Sequence, residues 1–211
     1  MFPIRDTQRS YSFPIVTIVL IAVNLLAFLF ELTLDPDLRD RFHIENIFTS
    51  MFLHGGWLHV LGNMWFLWIF GDNVEDVLGH ARYLLFYLAC GTAAAVTQVV
   101  FSLDSRVPMV GASGAIAGVM GAYLVKFPRA RIETIAFIFF FITRFDVPAW
   151  LMLIYWFATQ FLNGVGSIGY TQVNEGGTAF LAHVGGFVAG ILLIYLMAPR
   201  ERSWQRRDLY W

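Results

Sequence analysis

The sequence predicts an all-α, polytopic membrane protein with six transmembrane helices, a short central fourth helix and both termini in the cytoplasm. Three observations lead to this fold class. Hydrophobic residues make up 58% of the 211 residues and charged residues only 14%, whereas charged residues account for about 25% of a soluble domain. The apolar residues fall into six long runs. The basic residues collect on one side of those runs, as they do on the cytoplasmic side of membrane proteins.

The six predicted spans form a single membrane domain over residues 1–211. They lie at about 14–34, 57–71, 82–103, 112–126, 147–163 and 177–198. The first run is too long for a signal-peptide core and lacks a clear cleavage site, so we expect it to remain as a helix. An even number of spans places both termini on one side. All basic residues except three, Arg39, Arg41 and Arg106, fall on that side, which makes it cytoplasmic.

Two segments between the spans are expected to lie at the cytoplasmic surface. The apolar stretch Thr134–Thr143 would cover only about half of a hydrocarbon core of roughly 30 Å as a helix, so we predict an interfacial or loop segment. Asp146 and Pro148 then resemble the cap and first turn of the fifth span. The charged residues that follow the second span are predicted to form a solvated turn: Asp72, Glu75, Asp76 and Arg82.

The segment Val110–Leu124 places one hydroxyl, that of Ser113, among small and aliphatic residues. Its glycines share about an 80° arc of one helix face, where another helix could approach closely: Gly111, Gly114, Gly118 and Gly121. A helix over 112–126 would be only about 22 Å long, too short for a full crossing. We therefore expect Ser113 at the floor of an aqueous cavity. The alternative is a packing residue whose hydroxyl binds a carbonyl one turn back.

Three further polar side chains are predicted at the same outer depth. His183 lies on the sixth span, above Gly186 and Gly190 on one face. His59 and Asn63 are four residues apart and project from one face of the second span. Both would be costly in lipid, so they should face the protein interior or a wet cavity. They could also simply tie helices together.

A metal site is disfavoured by the same pattern. His54, His59 and His183 could supply three ligands, but His54 and His59 lie about 140° apart around a helix. No carboxylate accompanies them at that depth. We expect neither a metal nor a cofactor.

The four polar residues suit acyl transfer. Ser113 can act as the nucleophile and His183 as the base that removes its proton and returns it to the leaving amine. The oxyanion of the tetrahedral intermediate could be bound by the Ser113 amide and the side chains of Asn63 and His59. Because no acidic residue falls at this depth, the pair would act as a dyad.

Three motifs resemble the rhomboid intramembrane serine proteases: GASGAIAG around Ser113, AHVGGFVAG around His183, and MFLHGGWLHVLGN across the second span. The resemblance implies hydrolysis of a peptide bond in or beside the helix of a single-span membrane protein, with a small side chain at the cleavage site. It implies Ser113 as nucleophile, His183 as base, and His59 and Asn63 at the oxyanion. The fifth span and the loop after it resemble the family's gate and cap. We expect a multi-pass protein of a prokaryotic cell membrane. We do not expect it to bind nucleic acid.

The chain departs from the family pattern at three places. The first outer loop, about 35–56, is short and has no Trp-Arg pair. Ser50 stands where some members carry a further histidine. Ala117 stands where many members place an aromatic residue that supports the histidine ring, so another group must brace His183.

Two rival functions remain open from the sequence. The first is a catalytically silent rhomboid-like chaperone or adaptor, but such proteins lose the serine or the histidine, and this chain has both. The second is a small transporter or channel. Such a protein needs ionisable residues along a through-path, whereas the inner halves of the fourth and sixth spans, 118–125 and 190–197, are uncharged. The residues do not indicate an oligomeric state.

Overall fold

The computed structural model describes residues 2–35, 47–101, 110–138, 141–167 and 179–199. The chain is mostly helical within these ranges. Its helices are α1 Ile15–Glu31, α2 Ile47–Ser50, α3 Trp57–Leu78, α4 His80–Phe101, α5 Ser113–Lys126, α6 Ala149–Ser167 and α7 Phe180–Met197. Its strands are β1 Phe2–Asp6, β2 Arg131–Ile138 and β3 Phe141–Pro148. Each of the six predicted spans overlaps one of the six longer helices.

Helix α5 lies at the centre of the molecule. It packs against α3, α4 and α7, and every residue from Gly114 to Tyr123 is buried. With 14 residues, it is about 21 Å long. Its position places the residue at its amino end, Ser113, where several helices meet.

Glycines bring α5 and α7 into backbone contact. A Cβ atom at Gly186 would overlap the carbonyl oxygen of Gly114, and one at Gly190 would overlap that of Gly118. Only glycine allows two helices to approach this closely. The predicted close packing of the fourth and sixth spans is confirmed.

The alternative of a loop for the stretch 134–143 is wrong, because residues 134–138 and 141–143 lie in strands β2 and β3 of a three-stranded antiparallel sheet, in the order β1-β2-β3. Ile132, Thr134 and Ala136 are buried while the residues between them are more exposed, which is the two-residue period of a strand. The prediction for Asp146 and Pro148 is also wrong. Strand β3 runs through Pro148, and Asp146 pairs with Glu133 across the ladder. The run was misread because no glycine or proline marks the change of direction between the two strands.

The predicted solvated turn after the second span is wrong: all four of its residues are helical, and two of them, Glu75 and Asp76, are buried. Helix α3 continues to Leu78, and the two side chains are 0% and 7% exposed. The Glu75 carboxylate accepts hydrogen bonds from the backbone N–H groups of Val16 and Thr17, each at 2.8 Å. These N–H groups lie in the first turn of α1 and have no acceptor within that helix. Glu75 therefore caps α1 from another helix.

Asp6 ties the sheet to the ends of α3 and α5. Its carboxylate accepts hydrogen bonds from the Tyr123 hydroxyl at 2.5 Å and from Nδ2 of Asn73 at 2.9 Å. Burial raises the pKa of the Asp6 carboxyl to about 7, and the nearby Asp72 carboxylate adds to the increase. The sheet thus joins the end of α5 that is opposite Ser113.

Two of the described helices are both long and apolar enough to cross a membrane, His80–Phe101 and Phe180–Met197. Two more are apolar but shorter, Ile15–Glu31 and Ser113–Lys126. Length and composition therefore identify fewer spanning helices than the six predicted.

Candidate active site

Ser113 and His183 meet where α5 and α7 begin. Ser113 is the first residue of α5, and His183 lies one turn inside α7. The distance between Oγ of Ser113 and Nε2 of His183 is 2.8 Å, a normal length for a hydrogen bond from a hydroxyl. The imidazole is 8% exposed. The two residues predicted to react together are therefore in direct contact.

His59 and Asn63 converge on the loop that leads into α5. A Cβ atom at Gly111 would lie 2.8 Å from Nε2 of His59 and 3.5 Å from Nδ2 of Asn63. Gly111 also has a φ of 123°, which L-residues with a side chain rarely adopt. Its backbone N–H donates to the carbonyl oxygen of Ser50 at 2.8 Å. These constraints hold the loop against both side chains, two residues before Ser113.

Nδ2 of Asn63 is a buried donor with no hydrogen-bond partner among the residues that the structure describes. Buried amide groups are usually paired, since an unmet donor costs about 1–3 kcal/mol. The first-turn backbone N–H of Ser113 lacks an acceptor within its own helix for geometric reasons. Hydrogen-bond donors for an anion are therefore present beside the serine.

The ring of His54 packs against the ring of His59. The rings form an edge-to-face pair with centroids 5.2 Å apart, and the backbone N–H of His54 donates to the Glu31 carboxylate at 3.0 Å. Burial lowers the pKa of His54 to about 4, so its ring is neutral near pH 7. No group of three or more His, Cys, Asp or Glu side chains is placed to hold a metal ion in the described ranges.

Two residues of α6 brace the His183 ring, and sequence reasoning assigned a role to neither. The ring of Trp156 packs against it with centroids 5.7 Å apart and planes 35° apart. Oε1 of Gln160 lies 2.7 Å from Nδ1 of His183. The spacing of four between Trp156 and Gln160 is the signal that could have found them, because it places both on one helix face. Ala117, which stands where many family members have an aromatic residue, is fully buried.

The candidate site contains a cavity of about 650 Å³. Its walls include the side chains of Ser113, His183, His59, Asn63 and Trp156. The predicted cavity at the amino end of the serine helix is thus present. It is large enough to admit a segment of peptide beside the serine hydroxyl.

Comparison with known proteins shows which proteins this chain is similar to. The Rhomboid domain family matches residues 41–200, a range that contains all four predicted site residues. Rhomboid protein 1, mitochondrial, of Saccharomyces cerevisiae is 30% identical over 169 residues, which cover 77% of this chain and 44% of that protein. Rhomboid protease GluP of Bacillus subtilis is 42% identical over 78 residues, 37% of this chain and 15% of that protein.

Presenilin-associated rhomboid-like protein A, mitochondrial, of Danio rerio is 27% identical over 163 residues, 75% of this chain and 38% of that protein. The chain spans less than half the length of these relatives. The match to the family nevertheless extends over most of the chain and includes both the glycine-lined helices and the residues that meet in the cavity. The chain therefore belongs to the rhomboid family.

Proposed function

We propose that this protein is an intramembrane serine endopeptidase that cleaves single-span membrane proteins. The observation that carries the proposal is the 2.8 Å contact between Oγ of Ser113 and Nε2 of His183. A serine hydroxyl becomes a useful nucleophile when a base within hydrogen-bond reach removes its proton. The contact lies in a cavity that also contains the amide of Asn63, whose Nδ2 has no hydrogen-bond partner among the described residues.

The proposed reaction begins when Nε2 of His183 takes the proton of the Ser113 hydroxyl. Oγ then attacks the carbonyl carbon of the scissile peptide bond, and the carbonyl oxygen becomes an oxyanion. Nδ2 of Asn63, the His59 ring and the Ser113 N–H are the proposed donors to that oxyanion. His183 returns the proton to the leaving amine as the C–N bond breaks, which leaves an acyl ester on Ser113. A water molecule, deprotonated by His183, then attacks the ester carbonyl; the bond to Oγ breaks, His183 returns the proton to Oγ of Ser113, and the carboxyl product leaves.

We also propose that six helices span the bilayer with both termini in the cytoplasm. Membership of a membrane-embedded family supports the proposal, as does the overlap of each predicted span with a helix. Large apolar side chains face outward rather than into the core, among them Leu58, Tyr155 and Leu196, which are 90%, 70% and 80% exposed. Such surfaces suit contact with lipid. The relatives include mitochondrial and bacterial proteins, so they do not single out the prokaryotic cell membrane that we expected.

A serine-directed fluorophosphonate probe tests the proposed nucleophile without a known substrate. Wild-type protein should be labelled, and Ser113→Ala and His183→Ala should not. Ser50→Ala is the matched control, because Ser50 lines the same cavity; this variant should still be labelled. Labelling that persists in Ser113→Ala would show that another residue reacts.

Cleavage of a single-span test protein in liposomes examines the reaction itself. Each dyad variant should lose activity by a factor of about 10⁴ or more, as expected when a nucleophile or its base is removed. If wild-type protein binds single-span proteins but neither cleaves them nor reacts with the probe, it is a silent family member.

A further inference from the structure

We infer that Gln160 is a positioning residue that holds the His183 imidazole in the tautomer able to act as a base. The inference rests on the proposed function and assigns to α6 a part in the chemistry. The sequence offered no acidic residue to orient this histidine. In the structure, the neutral side-chain amide of Gln160 lies at Nδ1 of His183, where an acidic residue would otherwise orient the ring.

The proposed reaction requires one particular tautomer of His183. A neutral imidazole carries a single N–H, on either Nδ1 or Nε2. Nε2 can accept the Ser113 proton only if it is unprotonated, so the hydrogen must be on Nδ1. That N–H then needs an acceptor, and Oε1 of Gln160 lies 2.7 Å away. Trp156 packs on the ring but offers no acceptor for this N–H.

An amide presents an oxygen on one side and an NH₂ group on the other, so its orientation decides which tautomer is favoured. With the NH₂ group towards His183, Gln160 would donate to Nδ1 and force the hydrogen onto Nε2. In that case Nε2 could no longer take a proton from Ser113. The orientation of the Gln160 amide therefore decides whether His183 can act as a base.

A neighbouring hydroxyl determines this direction. The Thr159 hydroxyl lies 2.6 Å from the backbone carbonyl oxygen of Trp156. A carbonyl oxygen can only accept, so the hydroxyl must donate its single hydrogen there. Oγ1 of Thr159 can then only accept from Nε2 of Gln160, which lies 3.3 Å away. The NH₂ group faces Thr159, and Oε1 faces His183.

The hydrogen bonds therefore run in one direction from the serine to a backbone carbonyl. Ser113 donates to His183, His183 to Gln160, Gln160 to Thr159, and Thr159 to the carbonyl of Trp156. A neutral amide can orient the ring without placing an additional charge at membrane depth, where a carboxylate would be costly. The last three members all lie on α6, so the correct tautomer depends on the docking of that helix against α7.

Four variants test the inference. Gln160→Leu removes the acceptor, and Gln160→Glu keeps an acceptor at the same reach. Thr159→Val removes the hydroxyl at nearly constant volume, and Thr159→Ser restores it. Thermal unfolding of each variant checks that the fold is retained, and the Thr159 pair provides an independent test if Gln160→Leu folds poorly.

The first readout is nitrogen-15 NMR of histidine-labelled protein at pH 8, with the His183 signals identified by their loss in His183→Ala. We expect hydrogen on Nδ1 in wild type, Gln160→Glu and Thr159→Ser. We expect a substantial population with hydrogen on Nε2 in Gln160→Leu and Thr159→Val. Hydrogen on Nε2 in wild type, or an unchanged tautomer in Gln160→Leu, would overturn the inference.

The second readout is cleavage of a single-span test protein. Gln160→Leu should lower kcat about tenfold to a hundredfold, since a buried N–H loses its acceptor, with KM changed by less than about threefold. Thr159→Ser should be within about twofold of wild type. A wild-type kcat in Gln160→Leu would refute the inference.

The two readouts separate this inference from the proposed function. The expected tautomer shift in a protein that cleaves nothing would refute the protease proposal and support the hydrogen-bond assignment. Normal cleavage with no tautomer shift would refute the assignment alone.

Discussion

Replacing Gly186 by alanine should separate the two residues of the proposed dyad, Ser113 and His183, without altering either. Gly186 lies in the contact between α7 and α5, and its added Cβ would overlap the carbonyl oxygen of Gly114. That carbonyl belongs to the residue next to Ser113, and Gly186 is one helical turn from His183. Any movement that relieves the overlap is therefore transmitted directly to the site.

The magnitude follows from the geometry. The added Cβ would lie 2.0 Å from that oxygen, so the helices must separate by about 1.4 Å to restore an ordinary contact. The 2.8 Å distance from Ser113 to His183 would then lengthen to about 4.2 Å, beyond hydrogen-bond range. Displacement by about 1 Å can lower catalysis about a hundredfold. Overpacking should cost about 1–3 kcal/mol of stability, partly offset by about 1 kcal/mol from the higher helix propensity of alanine.

The assay is cleavage of a single-span test protein at a temperature where thermal unfolding shows that the variant is folded. Gly62→Ala is the matched control. Gly62 lines the same cavity, but nothing lies within 4 Å of its added Cβ, so its activity should stay within about twofold of wild type. Activity of Gly186→Ala within twofold of wild type would refute the reasoning that this glycine contact sets the dyad distance.

Three more predictions test other parts of the structure. Gly111→Ala should lower kcat about 10²–10³-fold, because the methyl group displaces His59 and the backbone φ of 123° is strained for alanine; an unchanged kcat would contradict this. Asp6→Asn should raise the unfolding temperature by about 2–4 °C at pH 8, with a smaller difference at pH 5. Ala117→Phe should destabilise the protein by about 1–3 kcal/mol or prevent folding, because Ala117 is fully buried; normal stability with higher turnover would show that space for an aromatic brace exists.

The sign of the Asp6 prediction follows from its pKa. The folded-state value of about 7 lies above the usual 3.8, so between these values the folded protein holds a proton that the unfolded chain has released. Stability therefore falls as the pH rises from about 4 to 7 and then levels off. Asparagine resembles the neutral acid, so Asp6→Asn should not lose stability as the pH rises through this range. A melting difference that grows towards pH 5 would contradict the assignment. Tyr123→Phe tests the partner hydroxyl in the same assay.

The errors in the predicted fold share a cause. Glu75 was expected in solvent because acidic residues near the end of a span usually are, yet its partners Val16 and Thr17 are almost 60 residues away in the chain. For the sheet, no turn signal marked the β2–β3 hairpin, and the third strand, β1, comes from the far amino-terminal end. Spacing within a segment carries no information about such distant partners.

The sequence alone predicted the four polar residues of the candidate site and the helix packing that brings Ser113 and His183 together. Glycine spacing within the fourth and sixth spans predicted their close approach, since the faces of a helix follow from its 3.6-residue period. The tertiary structure decided which groups complete the site. Gln160 and Trp156 reach His183 because α6 docks beside α7, and Ala117 lies in a filled core. Such contacts depend on how separate helices are placed against one another, which periodicity within each helix cannot specify.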